Sequence, residues 1–435
     1  MNLIVEIILW IMYLASLYFS VFLLIVYLEK RSEYDEPTEE NNTSQQSNLK
    51  IKPHTFEPFI SILVPAYNEE KTIRKTLESI NNLEYPKEKL QIIAINDGSK
   101  DHTEQEIKQY IQDKPHFQLL SHKNKGKSAS LNIALQQVKG EFFACLDADS
   151  FVEPTTLRKM LNLYTAENDP QLAIITPAMK VHDPKTILQR IQWLEYLVII
   201  LLGKIASKLD SLYVAPGPFS LYNTSIIRKL GGFDETNITE DQEIAYRVQK
   251  HQYKIRQCPA GYVYTTAPAT LKPFYYQRKR WYLGSMLCVH QYRELIANRK
   301  YGDFGMMQMV KNASGYFLAI TGISIAITFL IQPWFSRLRE FFLVDFNILP
   351  YLLDFKLRFN FITFLLTDFR KAFIILFLMM IGVYLFYAAH RNAHEKITKF
   401  GWLPLIPYFM FYYSLKAYIL LSTMIKFAWT RKAKW

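Results

Sequence analysis

The chain has 435 residues, 50% of them hydrophobic, with 51 Lys and Arg against 39 Asp and Glu and a formal net charge of +12. That length buries a large core and still leaves apolar surface for a bilayer. The three cysteines, Cys145, Cys258 and Cys288, sit in apolar or aromatic stretches without CxxC or zinc spacing, which argues against a disulfide framework or metal knuckle and points to a reducing compartment. The basic residues are scattered rather than gathered in a tract, so nucleic acid is the weakest of the anionic partners the charge allows.

Residues 3 to 28 are apolar apart from Glu6, longer than the roughly 20 residues needed to cross a bilayer. Lys30 and Arg31 follow this stretch and nothing basic precedes it, the pattern of a transmembrane span with its sequel in the cytoplasm rather than of a secretory leader. Residues 31 to 56 are polar and too poor in aliphatic side chains to offset the entropy of ordering, and read as a flexible linker in which the glycosylation matches at Asn41 and Asn42 carry no meaning.

Strand and helix patterns then alternate. "FISILVPAYNEE" (59 to 70) leads to a helix with Ile73, Leu77 and Ile80 on one face; "LQIIAINDGS" leads to a helix near Asp101, with Glu104 three later as a capping pattern. "FQLL" leads to a helix carrying Leu131, Leu135 and Val138, and then comes "FFACLDAD". Such alternation predicts a parallel sheet covered on both faces, with ligand at the C-terminal ends of the strands. Residues 187 to 205 place Ile187, Ile191, Leu194, Val198, Leu201 and Ile205 at helical spacing with Gln189, Arg190, Gln192 and Glu195 elsewhere, an amphipathic helix suited equally to the membrane interface or to a core. Beyond residue 300, the stretches 313 to 333, 371 to 389 and 402 to 428 read as further spans, and 341 to 366 as a re-entrant or interfacial element. Asn312 and Lys416 either face a polar path through these spans or snorkel to their ends.

Four segments carry chemistry. Asp147-Ala148-Asp149 leaves a strand with both carboxylates on one side, hard oxygen ligands that suit Mg²⁺ or Mn²⁺ when a diphosphate is the leaving group; alone, without the surrounding loops, the pair reads as a solvated loop after a strand. "ITEDQEIAYRV" (238 to 248) predicts a helix starting at Thr239 with a Thr239/Gln242 capping box, and puts Asp241 in the first turn, where the helix dipole favours its ionised form and readies it as a base. "PFYYQRKRWYLGS" (273 to 285) surrounds Arg278, Lys279 and Arg280 with aromatic rings, fit to neutralise a diphosphate and hold a sugar ring, or simply to anchor on a bilayer. "HKNKGKSASLN" (122 to 132) gathers Lys123, Lys125 and Lys127 at a helix start where phosphate docks, without the P-loop spacing of ordinary ATPases.

In this order, "VPAYNE", "NDGS", "KSASLN", "DAD", "TED" and "QRKRW" resemble the membrane-bound family 2 glycosyltransferases, and most of all the processive synthases of hyaluronan, chitin, cellulose and poly-N-acetylglucosamine; the likeness runs over roughly residues 57 to 295. The resemblance implies an α/β fold: a GT-A type nucleotide-sugar-binding domain with a mostly parallel sheet, plus interfacial helices and transmembrane α-helices. It divides the chain into a transmembrane helix (1–30), the linker (31–56), a cytoplasmic catalytic domain (57–270), interfacial helices with the QxxRW motif (271–311) and a C-terminal transmembrane region of about three spans (312–435).

It further implies an inverting transfer of a sugar from a UDP-sugar to a growing β-linked polysaccharide at the cell membrane, with export of the product, N-acetylglucosamine being the expected sugar. Tyr67, Glu69 and Asp97 would hold the uridine, Lys127 the nucleotide or its phosphates, and Asp147 the nucleotide. Asp149 would bind the metal and Asp241 would be the general base, while Glu240, Gln277, Arg280 and Trp281 would line the acceptor and diphosphate site. Two departures stand out: KSASLN replaces the family's KAGALN, and in "APGPFSLY" (215 to 222), similar to a loop beside the acceptor, the usual following basic residue is Asn223. Two other readings remain open from sequence: transfer of one sugar to a membrane lipid, and a catalytically silent scaffold or export subunit. Membrane lipid is an expected partner in each, and the need for an accessory membrane subunit is left open.

Overall fold

The computed structural model describes residues 3–29, 56–326 and 369–430. The linker with Asn41 and Asn42, the end of the 313 to 333 stretch, the 341 to 366 element and the last five residues lie outside the described residues. The described residues fall into two compact units, one built from 3–29, 311–326 and 369–387, the other from 56–310 and 388–430.

The second unit holds an eight-stranded sheet of order β3-β2-β1-β4-β7-β6-β8-β5. Its first half is the alternation legible in the sequence: β1 (Ile60–Ala66), α2 (Ile73–Asn81), β2 (Leu90–Asp97), α3 (Thr103–Ile111), β3 (Phe117–His122), α4 (Lys127–Gln137) and β4 (Phe142–Cys145). β1 runs parallel to both β2 and β4, and β2 parallel to β3. Because side chains alternate across a strand, Ile60, Ile62 and Val64 pack with Ile73, Leu77, Ile80 and Ile107 on one face, while Leu63, Ile93 and Ile95 pack with Leu131, Ala134 and Leu135 on the other. Burial on both faces is why these strands read as continuous apolar runs.

The second half adds β5 (Ser150–Val152), α5 (Thr156–Glu167), β6 (Leu172–Val181), α6 (Ile187–Lys208), β7 (Ser220–Asn223), α7 (Thr224–Lys229), α8 (Glu240–Lys250), β8 (Lys254–Thr265) and α9 (Leu271–Gln291). β7 runs antiparallel to β4 and β6, β5 antiparallel to β8, and β6 parallel to β8. The sheet is therefore mostly but not wholly parallel. β7 matters for the site because it lies against β4 and brings the 215–219 loop over the residues that follow β4.

Helix α6 starts on a true capping box, with Thr186 and Gln189 each satisfying the other's backbone N–H. Its expected polar stripe is not a solvent face. Gln189, Gln192 and Glu195 are all buried, and the two glutamine amides donate to the Ala267 and Pro268 carbonyls at 2.9 Å each, while Ile187 and Ile199 are exposed. Hydrogen bonding to the 267–268 backbone holds Gln189 and Gln192 inward beside the buried Ile191, Leu194, Leu201 and Ile205, the core placement that the sequence left open.

In the first unit, α1 (Leu3–Glu29) and α11 (Phe369–Asn392) are long and apolar enough to cross a membrane. The lone charge of α1, Glu6, meets Lys371 at 3.4 Å, and Tyr27 meets Tyr384 edge to face. Between them in the chain comes α10 (Val310–Ala326). In the second unit, the C-terminal stretch forms the short α12 (Leu405–Pro407), a π-helical turn at Tyr408–Tyr412 and α13 (Tyr413–Thr430).

Candidate active site

The loops after β1 and β2 are sewn together by their own backbones. Asn68, in the left-handed conformation (φ 57°), donates its N–H to Ser99 Oγ at 3.1 Å and accepts the Lys100 N–H on its side chain at 2.8 Å. Tyr67 stands exposed beside it. Glu69 is half-buried, its N–H bonded to Thr103 Oγ1 at 2.7 Å and its carboxylate accepting the Thr72 hydroxyl at 2.7 Å. The predicted cap at Asp101 works one step out: the helix begins at Thr103, and Asp101 accepts the Thr103 N–H at 3.1 Å from outside it.

Asp97 is buried at the end of β2 and accepts the backbone N–H groups of Lys125 and Gly126 at 2.7 and 3.0 Å. Its carboxylate thus shapes the loop that starts α4, with His122 Nδ1 3.4 Å away. Gly98 is required here: at φ +67° a Cβ would come within 2.5 Å of the Asn124 nitrogen.

The acidic pair follows β4 in a turn closed by Ser150 N–H to the Asp147 carbonyl at 3.0 Å, and Thr76 Oγ1 fixes the intervening Ala148 carbonyl at 2.8 Å. Lys127, the first residue of α4, places its ammonium 2.5 Å from Asp147 and 2.7 Å from Glu240. One cation therefore joins the DAD turn to the first turn of α8. Gly217 lies directly above, where a Cβ would sit 2.9 Å from both Asp147 Oδ2 and Lys127 Nζ. The same loop donates the Ala215 N–H to the Asp241 carbonyl at 3.1 Å.

Helix α8 begins at Glu240 with Thr239 in the N-cap position, as its sequence predicts, but the capping box is absent. The Thr239 hydroxyl instead donates to Asn237 Oδ1 at 3.2 Å, and Gln242 donates to Ser285 Oγ at 3.1 Å, because the face of α9 presses on this turn. The expectation that the helix start favours an ionised Asp241 is also reversed. Burial and the neighbouring Glu240 push the Asp241 carboxyl up to about 7, against the pull of Lys127, Arg280 and the Gln242 N–H. Asp149 is raised to about 6 by burial, then by Asp147 and Glu69.

This crowding of like charge bears on whether a cation fits. Glu69, Asp147 and Asp149 share one neighbourhood with the Lys127 ammonium, and Asp149 accepts the Ser150 hydroxyl at 3.1 Å. Among the described residues no cluster of three or more ligating side chains exists. One or two carboxylates are what Mg²⁺ or Mn²⁺ takes when phosphate oxygens and water complete its shell, so the donor set fits a divalent cation that binds together with a phosphorylated ligand.

On α9, Arg280 is exposed and close enough to act electrostatically on Asp241. Trp281 is half-buried with the Arg278 guanidinium 4.1 Å from its ring centre, and the Gln277 Oε1 is buried without a partner. A Cβ on Gly284 would come within 2.1 Å of Thr239 Oγ1, so only glycine lets α9 approach α8 this closely.

The structure therefore brings Lys127, Asp147 and Glu240 into contact, with Asp149, Asp241, Glu69 and Arg280 in electrostatic reach, and keeps Tyr67 and Asp97 on the adjoining loops. Two features escaped the sequence. Gly217 shows its role only in space. Glu195 carried a signal, a single carboxylate inside the apolar run "WLEYLVIILLG", and it is buried in contact with Arg278 and Lys416 at 2.6 Å each. Lys416, expected to face a polar path or to snorkel, is thus paired with Glu195.

Residues 61–231 match the family model for Glycosyl transferase family 2. The poly-beta-1,6-N-acetyl-D-glucosamine synthase of Staphylococcus epidermidis is 27% identical over 369 residues, 84% of this chain and 83% of that protein. The probable glycosyltransferase YdaM of Bacillus subtilis is 31% identical over 237 residues, 53% of this chain and 56% of that protein. Among solved structures, mannosyltransferase PcManGT from Pyrobaculum calidifontis, in complex with GDP-Man and Mn²⁺, has a TM-score of 0.52 at 18% identity, covering 75% of this chain and 94% of that one. The α/β domain is accordingly GT-A-like.

Proposed function

This chain is a family 2 glycosyltransferase similar to poly-β-1,6-N-acetylglucosamine synthases, and from that premise we propose that it elongates a β-linked polysaccharide by inverting transfer of N-acetylglucosamine or another hexose from a UDP-sugar. The observation that carries the proposal is the Lys127 bridge, which joins a strand-end acidic pair to a first-turn Glu-Asp pair around one ammonium. Catalysis of this kind depends on charge arranged beforehand around the leaving group.

In this reading Tyr67, Glu69 and Asp97 hold the uridine, and Asp147 and Lys127 the nucleotide diphosphate. Asp149 would hold a divalent cation, Mg²⁺ or Mn²⁺, which would supply positive charge beside the diphosphate. Asp241, half-buried and reluctant to stay ionised, is a stronger base than an exposed aspartate, and takes the acceptor hydroxyl's proton as its oxygen attacks the anomeric carbon. Arg280 opposes the charge growing on the departing diphosphate, and Glu240 keeps Lys127 directed at the same place. Gln277 and Trp281 border the acceptor. The domain divisions follow: a cytoplasmic catalytic domain from 57 to 270, the α9 region to 311 at the membrane surface, and spans that carry the product outward, for which α1 and α11 have the length and composition.

The test is purified protein in lipid nanodiscs, screened with UDP-sugars and Mg²⁺ or Mn²⁺ for UDP release. A glycanase-sensitive ladder is expected; one organic-soluble product would mark lipid glycosylation instead, and no turnover with any donor would mark a silent scaffold. Asp241→Asn should abolish transfer and leave UDP affinity nearly intact, and normal transfer by that variant would refute the base assignment.

A further inference from the structure

Three elements distant in sequence meet at Glu195. Its Oε2 accepts from Arg278 Nη2 of α9 and from the Tyr412 hydroxyl at 2.6 Å each, and its Oε1 from Lys416 Nζ of α13 at 2.6 Å. Glu195, Arg278 and Tyr412 are buried, at 6%, 2% and 3% exposure, so these bonds are shielded from water. Two cations face one carboxylate, which leaves the cluster with one positive charge in excess. Aromatic faces absorb that excess: the Arg278 guanidinium lies 4.1 Å from the Trp281 ring centre and 5.0 Å from that of Phe274, and Lys416 lies 5.5 Å from those of Tyr412 and Tyr413.

Such an arrangement is costly for simple stability, since apolar residues of like volume serve a core as well or better. What it supplies is orientation. The guanidinium is held at Nη2 by Glu195 and sits over the indole, 4.1 Å from its ring centre, so the setting of Glu195 bears on the placement of Trp281. Further along α9 the helix is fastened separately, by Gly284 on Thr239 and Ser285 on Gln242, with Arg280 between the two fastenings in the chain.

We propose that Glu195 is a positioning residue for sugar transfer: through Arg278 it fixes Trp281 at the acceptor side of the site, and through Tyr412 and Lys416 it ties that setting to α13. The inference rests on the glycosyltransferase reading for the role of Trp281, and on the structure alone for the coupling.

The experiment compares wild type, Glu195→Gln and Arg278→Lys in nanodiscs, reading UDP affinity, acceptor KM, and the fluorescence of Trp281 taken as the difference from a matched Trp281→Phe protein. Both variants should keep UDP affinity within about twofold, raise acceptor KM or lower acceptor transfer about tenfold, and shift the Trp281 emission. Glu195→Gln leaves Arg278 and Lys416 without their carboxylate, and where it fails to fold, the Glu195→Gln/Lys416→Met double variant restores the original net charge and takes its place. An unchanged acceptor KM and Trp281 emission in any folded variant overturns the proposal, as does a fall in UDP affinity equal to the fall in transfer, which is general damage. The Trp281 signal is readable even in a protein that moves no sugar, so failure of the glycosyltransferase reading and failure of this coupling give different results.

Discussion

The ammonium of Lys127 lies 2.5 Å from the Asp147 carboxylate and reaches Glu240 at 2.7 Å with the same nitrogen. It is the cation around which the acidic site is assembled. Lys127→Met leaves Asp147, Asp149, Glu240 and Asp241 facing one another with less compensation, so the Asp241 proton is held more tightly. The UDP-sugar KM should rise about tenfold or more, and the rising limb of the pH–rate curve should move to higher pH. Steady-state kinetics across pH on both proteins checks it, and an unmoved limb would separate Lys127 from the base.

The raised carboxyls give stability and activity opposite pH dependences. Asp241, pushed up to about 7, and Asp149, to about 6, keep protons in the folded state that the unfolded chain has already lost. The folded state then binds more protons between the ordinary carboxylate range near pH 4 and those values, so stability without ligand should fall as pH rises through about 6 and 7. With Asp241 as the proposed base, transfer depends on its ionised form and should rise over the same interval. Mn²⁺ with UDP neutralises the crowding at Asp149 and should flatten the stability profile at its lower end. Thermal melting from about pH 5 to 8 with and without Mn²⁺ and UDP measures both signs.

How much of this was legible in the sequence depended on how local each cause is. The β1 to β4 half was readable because strands buried on both faces spell unbroken apolar runs, and Ile73, Leu77 and Ile80 mark the covering helix. The antiparallel β7 was not, because its four residues gain their place from pairing with β4 across a long separation. Asp147, Glu240 and Asp241 could be named from motif order, but their electrostatics could not: the helix-start argument predicts an ionised Asp241, and burial reverses it. The Thr239 capping box failed for a similar reason, since the approach of Gly284 directs the hydroxyl to Asn237. Gln192 and Glu195 lie off the apolar stripe and still face inward, because their partners, Pro268 and Arg278, come from elsewhere in the chain.

Gly217 offers a probe of the donor side that leaves the charged groups untouched. A Cβ there would press on Asp147 Oδ2 and Lys127 Nζ at 2.9 Å, tighter than carbon normally approaches either. Gly217 is buried, but the atoms its Cβ would meet are the ends of two partly exposed side chains, so the fold should accommodate Gly217→Ala at a cost of about 1 kcal/mol. The site should not: UDP affinity should fall about tenfold through the displaced pair, with melting temperature nearly unchanged. Calorimetric titration of UDP, set beside a melt, separates these two effects.

Gly284 probes the acceptor side in the same manner, but against a stiffer neighbour. A Cβ at this position would overlap Thr239, whose Oγ1, Cγ2 and Cβ would lie 2.1, 2.4 and 2.7 Å away. None of these is the far end of a flexible side chain, so Gly284→Ala has to move α9 away from α8, at about 1–3 kcal/mol for overpacking. That movement takes Arg280 away from Asp241, and turnover should fall more than UDP affinity. Thr239→Ala removes two of the three overlapping atoms, so Gly284→Ala/Thr239→Ala should regain part of both stability and turnover, a coupling of about 1 kcal/mol or more in a double-mutant cycle. Additive losses in that cycle would mean that the two helices do not set each other's position.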